Sequence, residues 1–229
     1  MILCIETATS LCSVALCNSN GVIAVIESGE DRSHTASLTP GILELLKKTG
    51  IKITDLEAVA VSKGPGSYTG LRIGVSTAKG MAYAASIPMI GISTTYSMFH
   101  GFISSGKDFR ETDLFCPLLD ARRMEAYYSV FSIDGTVIKD TRAEIITEES
   151  FSDLPDASRI FFFGDGSAKC MNIISRKNKF FDTEFRISAS SMQKPAYESL
   201  SERRFENTAY FEPFYLKDFL ATKPVKNIL

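Results

Sequence analysis

Residues 63–74, K-G-P-G-S-Y-T-G-L-R-I-G, form a glycine-rich segment ahead of a predicted helix. Glycine-rich loops that lead into helices often bind phosphates, because their backbone amides and the helix dipole attract an anion. The glycines at 64, 66 and 70 have the spacing GxGxxxG, one residue longer than the dinucleotide fingerprint. A P-loop needs GK[ST], whereas Gly70 precedes Leu71-Arg72. The spacing fits neither phosphate motif, and a tight turn that starts the helix is the alternative.

Small residues recur every four positions along this helix, at Gly70, Gly74, Ala78, Ala82 and Ser86. Residues with this spacing form one stripe on a helix surface. Glycine inside a helix costs roughly 1 kcal/mol relative to alanine, so Gly74 and Gly80 call for a compensating close contact. The stripe either packs against the protein's own sheet or contacts a helix of a second chain, and the spacing alone leaves both open.

The segment Glu6-Thr7-Ala8-Thr9-Ser10 connects the first two predicted strands and forms a second candidate site. Its carboxyl and hydroxyl groups suit contact with a nucleotide, which makes Glu6, Thr7, Thr9 and Ser10 the candidate contacts. The alternative is that Glu6 only ends the strand as a solvated carboxylate.

The sequence offers little for metal or nucleophilic chemistry. Neither of the two histidines, His34 and His100, has a second metal ligand at helical spacing, so no metal site is expected. No serine occurs in a GxSxG motif, and no cysteine stands beside a histidine. Arg122-Arg123 would contact a phosphate or, alternatively, remain exposed turn residues.

Composition predicts a folded protein that does not bind nucleic acid alone. Of its 229 residues 45% are hydrophobic, and 25 Lys and Arg against 27 Asp and Glu give a net charge of −2. Proteins that bind RNA by themselves usually carry a basic surplus. The five cysteines form no CxxC pair and are expected to be buried thiols. The chain starts directly as a strand and has no apolar run of 18 residues, so we expect a cytoplasmic protein without membrane contact.

The predicted elements of residues 1–105 follow the order β-β-β-α-β-α-β-α. Asn18-Ser19-Asn20-Gly21 marks a hairpin between the second and third strands, because Asn and Gly tolerate positive φ. Short turns make the first three strands antiparallel, whereas the helical crossovers make the later strands parallel.

Residues 106–229 partly repeat this order. Strands are predicted at 114–119, 125–133, 136–146, 159–163 and 184–187. A short helix is predicted around 148–152 and longer helices over 164–176 and 189–204, and the last helix is expected to pack back on the first lobe. Two such copies predict an α/β protein with two ribonuclease-H-like lobes, the duplicated actin-like (ASKHA) fold.

Several segments together resemble one family. They are I-E-T-A-T at 5–9, R-S-H-T-A-S-L-T-P at 32–40, K-G-P-G-S-Y-T-G-L-R-I-G at 63–74 and L-D-A-R-R-M-E-A-Y at 119–127, with F-G-D-G at 163–166 as weaker support. The sequence resembles the TsaB (YeaZ) family of tRNA threonylcarbamoyladenosine biosynthesis proteins over almost its whole length. The segment 63–74 is the most specific, and the tail after Leu216 is less similar.

The resemblance implies a scaffold subunit that pairs with a catalytic homologue, TsaD, which transfers a threonylcarbamoyl group to the adenosine next to the anticodon of tRNA. It also implies a small ATPase partner, TsaE, a homodimer when the chain is alone, and tRNA contact only through the complex. The family's contact surface corresponds to segments 33–48 and 70–86 here. The expected partner-binding residues are Leu38, Ile42, Leu45, Gly70, Leu71, Gly74, Val75, Ala78 and Ala82. Binding of ATP or ADP at the subunit contact is left open.

The resemblance also implies that this chain is not an enzyme. The catalytic homologue holds its metal with two histidines four residues apart, which align with Thr94 and Met98, and neither side chain replaces an imidazole. The alternative is a small ATP-dependent kinase or ATPase of the same fold, with Glu6 and Gly164–Gly166 at the phosphates. A stand-alone tRNA binder is a third hypothesis, which the sequence pI near 5.8 opposes.

Overall fold

The computed structural model describes residues 1–29 and 33–217 and contains two five-stranded mixed sheets. Sheet A consists of β1 (Ile2–Glu6), β2 (Cys12–Asn18), β3 (Gly21–Ser28), β4 (Ala58–Gly64) and β5 (Met89–Ser93). Its strand order is β3-β2-β1-β4-β5. β1 to β3 form an antiparallel meander, whereas β4 and β5 run parallel to β1. The predicted hairpin at 18–21 is present, since the Asn18 side chain accepts the Asn20 and Gly21 amides.

Sheet B repeats this arrangement in the second half of the chain. It consists of β6 (Leu114–Asp120), β7 (Glu125–Ser132), β8 (Val137–Ile145), β9 (Ile160–Phe163) and β10 (Lys179–Asp182). The order β8-β7-β6-β9-β10 matches sheet A strand for strand, again with three antiparallel strands followed by two parallel ones. The predicted pair of ribonuclease-H-like lobes, and with it the actin-like fold, is confirmed.

Two long helices cover one face of sheet A. They are α1 (His34–Thr49) and α2 (Tyr68–Ala85). Each has an apolar face that enters the core cluster formed with Leu3, Val14 and Val59. Local signals set the ends of α1, because the Ser33 side chain accepts the Ala36 amide at 3.4 Å and Gly50 takes a left-handed conformation at φ +70°.

The other face of sheet A is covered by the C-terminal part of the chain. A 3₁₀ turn at Ala189–Met192 leads into α5 (Gln193–Ser201), and Met192 and Ala196 are buried against the apolar side chains of β1 and β2. The first lobe therefore depends on residues that follow the whole second lobe. The boundary between residues 105 and 106 stays a prediction.

Helix α3 (Thr94–Ile103) joins the two lobes. It follows β5 of sheet A, yet Phe99 and Phe102 are buried among aromatic side chains of sheet B. The ring centroids of Phe102 and Phe163 are 4.0 Å apart and the rings are nearly parallel. The inter-lobe contact is therefore an aromatic cluster, whose geometry contributes beyond its buried area.

The segment 205–217 runs along the edge of sheet A and then reaches sheet B. The Glu206 amide donates to the Met89 carbonyl of β5 at 2.9 Å, and the Lys79 ammonium of α2 donates to the Phe211 carbonyl at 3.1 Å. At its end, Lys217 forms an ion pair with Glu125 of β7. The segment thus covers the outer edge of β5 and connects the lobes a second time.

Three predicted elements of the second lobe were wrong, and the first of them, the short helix around 148–152, is a series of turns. The helix predicted over 164–176 ends early, as α4 (Ser167–Cys170), and the strand predicted at 184–187 is replaced by β10. After Cys170 the chain turns, Ile174 is buried and the Ser175 amide donates to the Glu148 carbonyl. β10 forms where Phe181 stacks on Phe162 of β9 with ring centroids 4.9 Å apart, an aromatic cross-strand pair.

Three further expectations concern the chain as a whole. All five cysteines are buried, as predicted. None of the helices in residues 1–29 and 33–217 has the length and hydrophobicity needed to cross a bilayer. Arg32 of the segment 32–40 and most of the tail, from 218 to 229, lie outside the described residues.

The aromatic contact between the lobes leads to a stability prediction. Phe102→Ala is expected to lower the free energy of unfolding by about 3–5 kcal/mol, because it removes a fully buried ring and leaves a cavity. The control Tyr83→Ala removes a ring that is 81% exposed, and a change within about 0.5 kcal/mol is expected. Urea unfolding followed by circular dichroism measures both free energies. Equal losses in the two variants would contradict the assignment of Phe102 to the buried contact between the lobes.

Candidate functional site

The glycine-rich segment lies against the β1–β2 turn of the same chain. The Ser67 amide donates to the Ala8 carbonyl at 2.7 Å, and a Cβ on Gly66 would lie only 2.5 Å from that oxygen. A Cβ on Gly70 would overlap the Thr7 carbonyl oxygen. Glycine is thus required here by the close approach of two backbones, and the space next to the first turn of α2 is filled by protein.

The inner stripe of α2, consisting of Gly70, Gly74, Ala78 and Ala82, continues this contact into the core. A Cβ on Gly74 would overlap the Thr7 hydroxyl, while Ala78 and Ala82 are buried in the core cluster under sheet A's helices. Ser86, the last position of the predicted stripe, ends the helix and is exposed. Of the two interpretations of the spacing, the structure shows packing against the protein's own β1–β2 turn and sheet.

The prediction of nine partner-binding residues therefore requires a correction. All nine are buried within this chain: Leu38, Ile42, Leu45, Gly70, Leu71, Gly74, Val75, Ala78 and Ala82. Such side chains hold α1 and α2 on sheet A and are not available to a second chain. The error arose because four-residue spacing identifies a stripe but does not say which face of the helix it occupies.

The outward faces of the two helices carry a different set of residues. Along α2, an outer stripe of Ser76, Gly80 and Ala84 has the same four-residue spacing and is exposed. Apart from the neighbouring backbone of α2 itself, no atom of the described residues lies within 4 Å of a Cβ built on Gly80. Beside this stripe Tyr83 is 81% exposed, and on α1 Leu43 is 63% exposed.

Glu6 and Thr7 lie beneath α2, away from solvent. The Glu6 carboxyl accepts the Ala8 amide at 2.6 Å through Oε1, while Oε2 has no hydrogen-bond partner within the described residues. Burial raises the pKa of Glu6 to about 7, although hydrogen bonds from Ala8, Ser62 and Thr7 act in the opposite direction. Both residues are completely buried, so their assignment as nucleotide contacts was wrong. Glu6 is not the solvated strand end of the alternative interpretation either.

Thr9 and Ser10 do lie at the cleft between the lobes. They line a cavity of about 250 Å³ together with Met98 of α3 and residues that follow β9 and β10. Asp165, in the segment F-G-D-G, forms part of the wall, and its Oδ1 accepts the Asp120 amide at 3.1 Å. Burial raises the pKa of Asp165. The cavity combines hydroxyls and a carboxyl with apolar walls, and whether it binds a nucleotide stays a prediction.

The two positions that the resemblance aligns with metal-binding histidines lie in the first half of α3. Thr94 is the first residue of this helix, and the Met98 side chain lines the cleft cavity. Within residues 1–29 and 33–217, no three His, Cys, Asp or Glu side chains are grouped closely enough to hold a metal ion. The residues of the cleft are therefore an unsuitable donor set for the zinc- or iron-type site considered from the sequence.

Comparison with known proteins adds the family. The family model described as TsaD, tRNA N6-adenosine threonylcarbamoyltransferase, matches residues 23–221. The chain belongs to this family. Its predicted resemblance to TsaB (YeaZ) is also confirmed, by the relatives and structures that follow.

Several relatives share the name tRNA threonylcarbamoyladenosine biosynthesis protein TsaB. The one from Escherichia coli (strain K12) is 40% identical over 133 residues, which cover 58% of this chain and 55% of that protein. The one from Bacillus subtilis (strain 168) is 33% identical over 138 residues, which cover 60% and 58%. The match thus spans a little over half the length of these relatives.

Solved structures share the fold. The chain superimposes on YeaZ from Pseudomonas aeruginosa with a TM-score of 0.80 and 21% identity, covering 94% of this chain and 99% of that one. A second structure from Pseudomonas aeruginosa, described as an uncharacterized protein with similarity to peptidase YEAZ, gives a TM-score of 0.83 at 21% identity and the same coverage. At this identity the likeness concerns the fold alone.

Two glycines of α2 provide a matched test of the packing. Gly74→Ala is expected to destabilise the protein by about 1–3 kcal/mol, because the added Cβ overlaps the Thr7 hydroxyl. Gly80→Ala is expected to stabilise it by roughly 1 kcal/mol, because alanine is the better helix former and no neighbour is close. Chemical denaturation of both variants measures whether each substitution raises or lowers the free energy of unfolding. If Gly74→Ala were as stable as Gly80→Ala, the packing of α2 on Thr7 would be wrong.

The buried carboxyl predicts a pH dependence of stability. Folding favours the protonated form of Glu6, so its contribution is fully present below its ordinary pKa of 4.5 and is lost as pH rises through about 7. Between about pH 5.5 and about pH 8 the loss from Glu6 is about 2 kcal/mol. In Glu6→Gln this part of the pH dependence should vanish, whereas the surface control Glu44→Gln should keep it. The urea unfolding midpoint, measured at several pH values in that range, tests this prediction. If the midpoint of Glu6→Gln fell with pH as steeply as that of the unmodified protein, the burial of a protonated carboxyl would be refuted.

Proposed function

We propose that this chain is a non-catalytic subunit in tRNA threonylcarbamoyladenosine biosynthesis that pairs with the catalytic threonylcarbamoyltransferase through the outward faces of α1 and α2. Membership in the transferase family supports the pathway, and the names of the TsaB relatives support this role within it. The observation that carries the proposal is the open glycine at position 80, on the exposed side of a helix that is otherwise well packed.

The absence of catalysis rests on the residues at the cleft. Thr94 and Met98 occupy the positions where the resemblance expects metal-binding imidazoles. A threonine hydroxyl and a methionine thioether are poor replacements for imidazole on a hard or borderline metal. Met98 instead contributes a buried apolar side chain to the wall of the cleft.

The pairing surface rests on the outer stripe and its neighbours. Gly80 costs helix stability of roughly 1 kcal/mol relative to alanine, and nothing within the described part of the chain offsets this cost. A helix of a second protein that approaches closely along Ser76, Gly80 and Ala84 would offset it through dispersion contacts. Tyr83 of α2 and Leu43 of α1 are large exposed side chains on the two helices, and such side chains often contribute strongly to binding energy when an interface buries them.

The buried residues of α1 and α2 have a supporting part in this proposal. Leu38, Leu45 and Val75 fix the two helices on sheet A, so the outward faces are presented by a rigid element. A rigid surface loses little conformational entropy on binding, which favours a stable complex. The same exposed face suits an isologous homodimer when the partner is absent.

Further members of the assembly belong to the same proposal. The resemblance implies a TsaE-like ATPase, contact with tRNA only through the complex, and ATP or ADP at the subunit contact as an open question. The net charge of −2 agrees with a chain that contacts RNA only as part of the complex, because an RNA-binding protein acting alone usually carries a basic surplus.

A substitution at the open glycine tests the proposal. Gly80→Leu is expected to fold normally, since a Cβ at this exposed position meets no described atom within 4 Å outside the neighbouring backbone of its own helix, and leucine is a good helix former. It is expected to weaken pairing with the catalytic subunit at least tenfold, because the leucine prevents close helix approach. Isothermal titration with the purified catalytic subunit measures the affinity, and circular dichroism confirms the fold.

Ser201→Leu is the matched control, because it adds the same side chain at an exposed helix position on the opposite face of sheet A. It should bind like the unmodified chain. Full affinity in Gly80→Leu would refute the proposed surface, and an unmodified chain that does not bind the catalytic subunit would refute the proposed function.

A further inference from the structure

Two adjacent arginines form the turn between β6 and β7. Arg122 and Arg123 are both exposed, and both have left-handed backbone conformations with φ of +69° and +52°. The turn is closed by hydrogen bonds from the Glu125 amide to the Arg122 carbonyl at 3.2 Å and from the Ala121 amide to the Glu125 carbonyl at 3.1 Å. The arginines therefore occupy the tip of an ordered hairpin.

Arginine is an unusual choice at this tip. Turns with two consecutive left-handed residues favour Asn, Asp and Gly, which adopt positive φ at little cost. The same chain uses Asn20 and Gly21 in the β2–β3 hairpin, where Gly21 takes the positive φ. The arginine pair is not explained by the turn conformation, which points to a role of the side chains.

The carboxylates next to the turn are already paired with lysines. Asp120, at the end of β6, forms an ion pair with Lys169, and Glu125, at the start of β7, forms one with Lys217. Lys169 also donates to the Arg123 carbonyl at 3.0 Å and supports the turn from α4. Within the described residues neither arginine side chain has a hydrogen-bond or ion-pair partner.

The turn consequently carries a local positive charge in a protein whose net charge is −2. Four cations, Arg122, Arg123, Lys169 and Lys217, face three carboxyl groups, those of Asp120, Glu125 and Asp165, and the two cations without an ion-pair partner in the described residues are guanidinium groups. A guanidinium presents a planar fork of donors that fits phosphate oxygens and stays charged at all relevant pH values.

We propose that the Arg122-Arg123 turn binds backbone phosphates of the RNA on which the complex acts. This inference rests on the proposed function, which brings tRNA to the assembly. An exposed hairpin tip suits the backbone of an extended polyanion, whereas a small phosphorylated molecule usually occupies a concave site. The turn adds charge contacts to an RNA surface that is provided mainly by the partner, in agreement with the low net charge of this chain.

Fluorescence anisotropy with labelled, unmodified tRNA and the purified complex tests the inference. The doubly substituted chain Arg122→Asn with Arg123→Gly is expected to bind tRNA about tenfold more weakly at ~0.1 M salt, and the slope of log affinity against log salt should fall by about 1–2. The same variant should melt at a higher temperature, because its turn residues suit the left-handed conformation. If this variant is more stable and binds tRNA more weakly, misfolding cannot be the cause of the weaker binding.

A second arginine pair in the chain serves as the control. Arg203 and Arg204 are also adjacent and exposed, and Arg203 has φ of +55°, but the Arg204 Nε lies 2.7 Å from Glu202 Oε2. Replacing both by glutamine removes the same formal charge and should leave the RNA salt slope unchanged.

The outcomes separate this inference from the proposed function. Size-exclusion chromatography first establishes whether the complex forms, and failure at this step overturns the proposed function. If the complex forms but the turn variant binds tRNA with unchanged affinity and salt slope, the RNA-binding role is refuted. The RNA-binding role would also be refuted if the complex with the turn variant lost ATP binding but bound tRNA as before. The arginines would then bind the phosphates of a nucleotide.

Discussion

The contact between Thr7 and the glycines of α2 is the constraint on which the first lobe depends. Gly70 and Gly74 bring the helix so close to the β1–β2 turn that a methyl group would overlap Thr7. The close approach buries Glu6 and Thr7, fills the space at the start of α2 with protein, and turns the inner stripe of the helix towards sheet A. Because the inner surface of α2 packs against the β1–β2 turn and sheet A, the opposite surface, with Gly80 and Tyr83, remains exposed.

The two lobes share one topology but use it differently. In the first lobe, two long helices cover sheet A and present a broad outward surface. In the second lobe the corresponding crossovers are short, α4 has a single turn, and aromatic side chains take over much of the packing. The cleft between the lobes is lined by Thr9, Ser10 and Asp165, together with Met98, one of the two positions that the resemblance aligns with metal-binding histidines. The proposed binding surfaces therefore lie outside the cleft, on the outward faces of α1 and α2 and at the β6–β7 turn.

Features set by local chemistry were predictable from the sequence. The hairpin at 18–21, the end of α1 at Gly50 and the antiparallel pairing of β1 to β3 follow from side chains and turns close in sequence. The orientation of the glycine stripe was not predictable, because it depends on Thr7, which is distant in sequence and near only in the fold. Strand β10 was missed for a similar reason, since Phe180 and Phe181 become a strand by stacking on Phe161 and Phe162. The exposed stripe at Gly80 has the same four-residue spacing as the inner one, so the pattern contained it but did not distinguish the two.

The position of the last segments along the chain has a consequence for biosynthesis of the protein. Sheet A is built from residues 2–93, but one of its faces is covered by Met192 and Ala196 and its outer strand by Glu206 and Phe211. Domains usually fold one after another as they leave the ribosome. Here the amino-terminal lobe keeps an apolar face and an unpaired strand edge uncovered until residues 189–211 have been translated. The nascent first lobe is therefore exposed to aggregation while the whole second lobe is being synthesised, and it is complete only when the segment after that lobe has emerged from the ribosome.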